Sequence, residues 1–320
     1  MATFTTHSAV GEREDLQDVI YSISPTDTPF MNSVGQGQAS GVLHEWQTDS
    51  LASVNVGNAA VEGADASTAT LAATTRLSNH CQISEKTISI SRTLEAVDKA
   101  GRKSEEAYQL AKAAKEIKRD MEAILLSNQI ASAGGSAQVR HLGGLQTWIE
   151  TNGVFASAGA AGSIGLTARV DGTIDGAERT FTETLLKTVV QEVYTAGGDP
   201  NILMVTPSHK QTVSGFAGIA EQRYMAPGDQ PTTIIGAADV YMSDFGTISV
   251  VPNRFMLSSN SADDVALVID PEYLEVNFLR NFTTNDLSIA GDQAAKKQLV
   301  AEYTLGVLNE GAQGIVSDLA

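Results

Sequence analysis

The stretch between Gln47 and Thr75 constrains this chain most. It consists largely of Ala, Ser, Thr, Asn and Gly, carries Asp49, Glu62 and Asp65, and contains no lysine or arginine. Large apolar side chains are too few there to build a core. A structureless loop of this length is uncommon inside a compact domain unless it is functional or disordered. The flanks allow a third arrangement, an extended hairpin. Leu43 to Gln47, with Trp46, reads as the outgoing strand, and Arg76 to Arg92 as a long returning one. Isolated hairpins are marginal in water, so such a hairpin must be held by contacts outside its own domain. On the returning strand Ile83 has the opposite parity to Ile88 and Ile90, which predicts a bulge near Ser84 to Thr87.

A second segment poses the same problem. From Gly11 to Tyr21 the spacing of Leu16, Val19, Ile20 and Ile23 predicts a short helix, with Glu12, Glu14 and Asp15 near its positive end. Then comes Ile23-Ser24-Pro25-Thr26-Asp27-Thr28-Pro29-Phe30. Each proline fixes its own φ and biases the residue before it away from the helical region, so the stretch is predicted to be extended and unable to fold on itself. Ile20, Tyr21, Ile23 and Phe30 nevertheless need cover, from the chain's own domain or from a neighbour.

The remainder reads as α+β without a regular repeat. Leu110, Ala114, Ile117, Met121, Ile124 and Leu125 recur at helical spacing and predict a long helix over about 102–130, with Gly134-Gly135 as its stop. Residues 151–176 are again rich in Ala, Gly, Ser and Thr. Thr180 and Glu183 have capping-box spacing ahead of a helix with Leu185, Leu186, Val189, Val190 and Val193 on its apolar face, ending at Gly197-Gly198. Strands are predicted at 201–206, 247–251, 265–269, 273–282 and 299–308, and a helix from Pro207.

At 320 residues and 42% hydrophobic content the chain can bury a large core or several smaller ones. Its single cysteine, Cys81, precludes an internal disulfide. No secretory signal and no run of eighteen apolar residues is visible, so a soluble protein made in the cytoplasm, without membrane contact, is expected. The net charge of −17 argues against strong nucleic-acid binding through bulk attraction. The charge is segregated, however. Nine of the 21 basic residues lie between Lys86 and Arg119, mostly on the predicted long helix, where Glu116, Asp120 and Glu122 are expected to pair with Lys112, Lys115, Lys118 and Arg119.

No catalytic constellation emerges. His7, His44, His80, His141 and His209 are scattered and none sits in a metal-binding spacing. Ser214-Gly215 lacks the glycine two residues upstream that a nucleophile elbow needs. Gly159, Gly162 and Gly165 are not followed by Gly-Lys-Ser/Thr, and Asp263-Asp264 reads as a solvated turn. No cofactor, metal or catalytic residue is therefore expected.

Taken in order, these parts resemble a major capsid protein of tailed bacteriophages with the Hong Kong 97-like fold. The specific phrase is Ile23-Ser24-Pro25-Thr26-Asp27-Thr28-Pro29-Phe30, similar to the end of the N-terminal arm in one branch of that family. The resemblance implies an N-terminal arm over 1–42, an E-loop hairpin over 43–92, a peripheral (P) domain over 93–180 with the spine helix, an axial (A) domain over 181–260, and C-terminal strands over 261–320 returning to both domains. It implies a structural protein, not an enzyme, assembling with itself as hexamers and pentamers into an icosahedral virion shell around double-stranded DNA, in the host bacterial cytoplasm.

Tyr21, Pro25, Pro29, Phe30 and Trp46 are the expected assembly contacts. Shells of this family cross-linked by isopeptide bonds use an E-loop lysine, which is missing here, so a non-covalent shell is expected. The short stretch before the first helix leads one to expect a separate scaffolding protein, and the resemblance implies a portal, a decoration protein and weak non-specific contact with DNA as well. Two alternatives remain open at this point. One is an encapsulin-like compartment with the same fold and no genome. The other is a soluble α/β enzyme assembling a site from His209, Asp244 and Glu302.

Overall fold

The alternation of apolar and polar residues near the C-terminus produces the two longest strands, and the rest of the molecule is arranged around them. The computed structural model describes residues 24–320 apart from 64, 66–70, 100, 163–172, 175, 217–238, 258–261, 263 and 290. Tyr21 and the helix expected over 11–21 lie outside the described residues.

In chain order the elements are α1 (Pro29–Ser33), β1 (Gly35–Gln38), β2 (Leu43–Thr48), β3 (Thr75–His80), β4 (Gln82–Ser91), α2 (Arg92–Ala96), α3 (Glu105–Leu125), β5 (Gly153–Val154), α4 (Glu183–Ala196), β6 (Ile202–Val205), α5 (Pro207–Ser214), β7 (Val240–Ser243), β8 (Gly246–Pro252), β9 (Ala266–Ile269), β10 (Leu274–Asp286), β11 (Ala294–Val307) and β12 (Gly314–Val316). One sheet has the order β1-β10-β11-β4, a second the order β5-β12-β9-β6-β8-β7, and β2 pairs only with β3.

Helix α3 lies against the first sheet, and Ile117, Met121 and Leu125 of its buried stripe join Leu299, Ala301, Tyr303 and Leu305 of β11 in the main core. Leu203, Val205, Val250, Ala266 and Val268 of the second sheet pack with Leu186, Val189, Val190 and Val193 of α4 in another. Met204, Leu267, Ile269 and Ile315, from the second sheet, belong to the main core, so the two layers are joined by apolar packing. The second sheet draws β5, β9 and β12 from outside the span 181–260 expected for the A domain.

Several local expectations are corrected. Helix α3 is capped by Ser104, whose side chain accepts from Ala107 N, and it ends at Leu125. Gly134, at φ +66°, instead makes the turn of a loop closed by the Ser132–His141 bridge. No bulge interrupts β4, which pairs in constant register with β11; the register shifts lie in β10, between Phe278 and Thr283. Ile83 differs in parity because it faces outward, while Ile90 faces the core. The N-cap of α4 is Thr182, so Thr180 and Glu183 form no capping box, and Gly197 at φ +100° ends that helix as expected. Gly35 and Gly37 lie in β1, a strand that no sequence signal predicted. A Cβ on Gly37 would stand 2.0 Å from Asn277 Oδ1, so a side chain there would displace the Asn277 amide.

Candidate assembly surfaces

The first surface to consider is the root of the arm, and there the structure overturns part of the sequence reading. Pro29 does not prolong an extended stretch; it opens α1, at the helix position where a missing N–H costs least. Phe30 is fully buried in the main core, with Met31 and Val34 beside it. Its backbone N–H donates to Glu122 Oε1 at 2.7 Å, and Met31 N–H donates to Glu122 Oε2 at 2.9 Å. The Asn253 amide, just past β8, donates to the same Oε1 at 2.8 Å. Glu122 is itself fully buried on α3. One carboxylate thus fastens the arm root, the long helix and the second sheet together. Burial pushes its pKa above the ordinary glutamate range, against the three N–H donors that favour the charged form. Phe30 is therefore a core residue, and the outward contact expected of it is withdrawn. Pro25 and Pro29 are half-buried.

The second surface is the hairpin. Its strands pair from Leu43↔His80 to Thr48↔Thr75, and its root is tied down by Asn79, whose side chain donates to Gly143 O and Leu305 O and accepts from Gly143 N. Trp46, half-buried, leans on Trp148 at 5.4 Å and on His44 at 5.7 Å between ring centroids. It thus contributes to the chain's own packing at the hairpin root, although its indole N–H, shielded from solvent, has no partner among the described residues. Beyond Thr48 the picture changes. Leu51 (99% exposed), Val54, Val56 (101%), Val61 and Leu71 (90%) are almost as accessible as in an unfolded chain.

The residues considered for an enzyme do not converge. His209 packs against Phe181 and bonds Thr206 Oγ1 in α5, and Asp244 lies in the β7–β8 turn. Glu302 sits in the other sheet, held between Arg140 and Arg280. Cys81 is buried, its Sγ donating to Gly41 O, and burial raises its thiol pKa to about 11. A recess of about 510 Å³ near the α2–α3 turn is lined by Glu95, Asp98, Lys99, Arg102 and Lys103. Lys99 Nζ is already engaged there with the carbonyls of Leu94, Glu95 and Val97. Among the described residues no group of three or more His, Cys, Asp or Glu could hold a metal ion, and no helix is long and apolar enough to cross a membrane.

Sequence reasoning missed Glu122 and the exposed aliphatics as the informative residues. A glutamate beside Met121 and Leu125, within the helix's buried stripe, was the available signal for the first. The model of the SU10 major capsid protein family matches residues 2–320. The major capsid protein of Escherichia phage Phieco32 is 31% identical over 253 residues, covering 68% of this chain and 69% of that protein. Among solved structures, the capsid of cyanophage A-1(L) is similar with a TM-score of 0.67 at 11% identity, covering 98% of both chains. The SrpI encapsulin of Synechococcus elongatus PCC 7942 is similar with a TM-score of 0.55 at 10% identity, covering 97% of this chain and 92% of that one. At such identities the structural likeness speaks for the fold alone.

Proposed function

This chain belongs to the SU10 major capsid protein family, a family of structural capsid proteins and not of enzymes, and we propose that it assembles as hexamers and pentamers into a non-covalent icosahedral shell enclosing double-stranded phage DNA. One observation carries the assembly reading. Five aliphatic side chains in the loop between β2 and β3 are at least 80% exposed among the described residues. Burying a Val or Leu side chain is worth about 1.5–3 kcal/mol, so a neighbouring copy that covers this loop gains several such terms. Contacts of that kind are heterologous, one patch against a different one, and close into rings and shells when the rotation permits.

In this reading the hairpin loop is the reaching element. Tyr21 and Pro25 are proposed as further contacts, and Trp46 as the residue that fixes the hairpin's exit from the body. A separate scaffolding protein, a portal and a decoration protein are proposed partners, with assembly in the bacterial cytoplasm.

The test is expression of the full chain followed by negative-stain electron microscopy and sedimentation. Shells, tubes or capsomers are expected; a monodisperse monomer at high protein concentration would rule the reading out. Nucleic-acid content of particles from infected cells separates a genome container from an encapsulin-like compartment, which would carry protein cargo instead. Boiling those particles in detergent should release only monomers, and a covalent ladder would contradict a non-covalent shell.

A further inference from the structure

Helix α3 carries five acids and four bases, and the fold treats them unequally. Glu105 pairs with Arg102 and accepts from Gln109. Glu106 takes Lys297 at 2.6 Å, and Asp120 takes Lys86 at 2.9 Å. Glu122 is buried under three N–H donors. Glu116 faces Lys112 at 3.9 Å, the loosest of these contacts. The mutual pairing expected along this helix is thus mostly not formed, because the acids are taken by cations from other segments or by backbone. Lys115 and Lys118 have no carboxylate within ion-pair distance among the described residues; Lys118 rests over the Phe282 ring at 5.7 Å. Lys112, Lys115 and Lys118 are all exposed, and their three-residue spacing makes a slanted row rising about 4.5 Å per step. On a chain of net charge −17 this row is a local reversal of sign.

The character of the same face decides between possible partners. Its other exposed members are Ala107 and Ala111. The one aromatic there, Tyr108, is half-buried and already covered by the Arg102 guanidinium at 5.5 Å, so a protein partner would find no free large anchor of the kind that carries most of the energy of protein interfaces. A phosphate backbone needs none, since release of its condensed counterions drives binding to lysines irrespective of sequence.

We propose that the Lys112–Lys115–Lys118 row is the surface by which the shell touches its genome, a sequence-independent contact with the DNA phosphate backbone. The inference rests on the reading of the chain as a DNA-enclosing shell, and it places the outer face of α3 toward the packaged nucleic acid.

The experiment uses unassembled full-length chain and a fluorescein-labelled duplex of about 30 base pairs, followed by anisotropy between about 50 and 200 mM salt. Each phosphate neutralised contributes about −0.9 to the slope of log K against log salt. The wild-type chain should bind weakly, with a slope steeper by about 2–3 than that of the Lys112→Gln/Lys115→Gln/Lys118→Gln variant. The corresponding triple arginine variant should retain the slope. Lys187→Gln, altering a lysine already paired with Glu183, should leave it unchanged. Should the triple glutamine variant misfold by circular dichroism, Lys115→Gln and Lys118→Gln singly should each remove about 0.9 from the slope.

Equal slopes for wild type and the glutamine variants, or no binding at the lowest salt, would overturn the proposal. So would poly-L-glutamate displacing the duplex at lower charge concentration than unlabelled DNA, which would assign the row to an acidic protein. Electron microscopy of the same preparations keeps the two readings apart. Shells without salt-dependent DNA binding refute only the lysine row, whereas absence of any assembly refutes the shell.

Discussion

The arm root and the hairpin loop pose one problem in the sequence and receive opposite solutions in the structure. Both are segments that cannot make a core of their own. Pro29 to Val34 is drawn inside, because it offers an aromatic side chain to fill space and two helix-start N–H groups that Glu122 is placed to accept. The loop after Thr48 offers small residues, thinly spaced aliphatics and acids, and among the described residues its Leu51, Val54, Val56, Val61 and Leu71 are left exposed. The difference teaches that an extended segment docks at home only when its apolar side chains are large enough and its backbone donors find buried acceptors. Otherwise it is left for another molecule.

The strongest way to break this contrast is to excise the loop. Replacing residues 50–73 by a two-residue Asn-Gly turn joins Asp49 to Thr74 with a connection that a two-stranded hairpin accepts. Assembly should be abolished while thermal unfolding of the soluble chain stays within about 0.5 kcal/mol of wild type, because the described aliphatics of the loop are exposed. The gentler variant, Leu51, Val54, Val56, Val61 and Leu71 all changed to Ser, should do the same. Normal closed particles from either variant, seen by electron microscopy, would remove the loop from the assembly contact.

Much of the body was legible because its signals were local and repeated. The periodicity of Ile117, Met121, Ile124 and Leu125 located α3, and the strand predicted over 299–308 located the buried part of β11. The extent of β10 and β11 was underestimated at their polar ends, where Thr283 to Asp286 and Ala294 to Gln298 are held by pairing rather than by burial. Short β1 was unreadable, since Gly-Gln-Gly-Gln forms a strand only beside the β10 backbone. The fate of Phe30 was equally hidden. It depends on Glu122, 92 residues away, and no local pattern reports a contact at that separation.

Phe30→Ala sharpens the same contrast from the other side. Removing a fully buried phenylalanine should cost about 3–5 kcal/mol, read as a lower urea midpoint of the unassembled chain. Whatever assembly survives should fall in step with stability, because the residue acts inside the chain. A variant of wild-type stability that fails to assemble would return Phe30 to the interface.

Glu122→Ala leaves the Phe30 and Met31 N–H groups and the Asn253 amide without their acceptor, at a cost of about 3 kcal/mol. Glu122→Gln should cost less, about 1–2 kcal/mol, since the amide oxygen can still accept from Phe30 and Asn253 while its NH₂ meets the Met31 donor. The distinguishing readout is limited proteolysis. Loss of this tie should admit cleavage near Ser24 to Ser33 before cleavage in the body, whereas sites in the hairpin loop should be cut equally in wild type and variant. Unchanged protection of the arm root would show that packing of Phe30 alone holds it.

The smallest expected effect is on pH dependence, and its sign is the reverse of an acid-triggered release. The folded pKa of Glu122 is raised by burial, so the folded chain binds this proton more tightly than the unfolded chain does. The corresponding stability is fully present below the unfolded value of about 4.3 and is lost as pH rises through the folded pKa. The loss stops once the group is ionised in both states. Acid should therefore tighten the arm root. The stability of wild type minus that of Glu122→Gln, taken from urea midpoints at successive pH values, should decline from pH 4 upward and then level off. The Gln variant cancels the many other carboxylates common to both chains. A difference that grows with pH would mean that the three N–H donors outweigh burial, making Glu122 a low-pKa carboxylate and the arm root a contact that acid loosens.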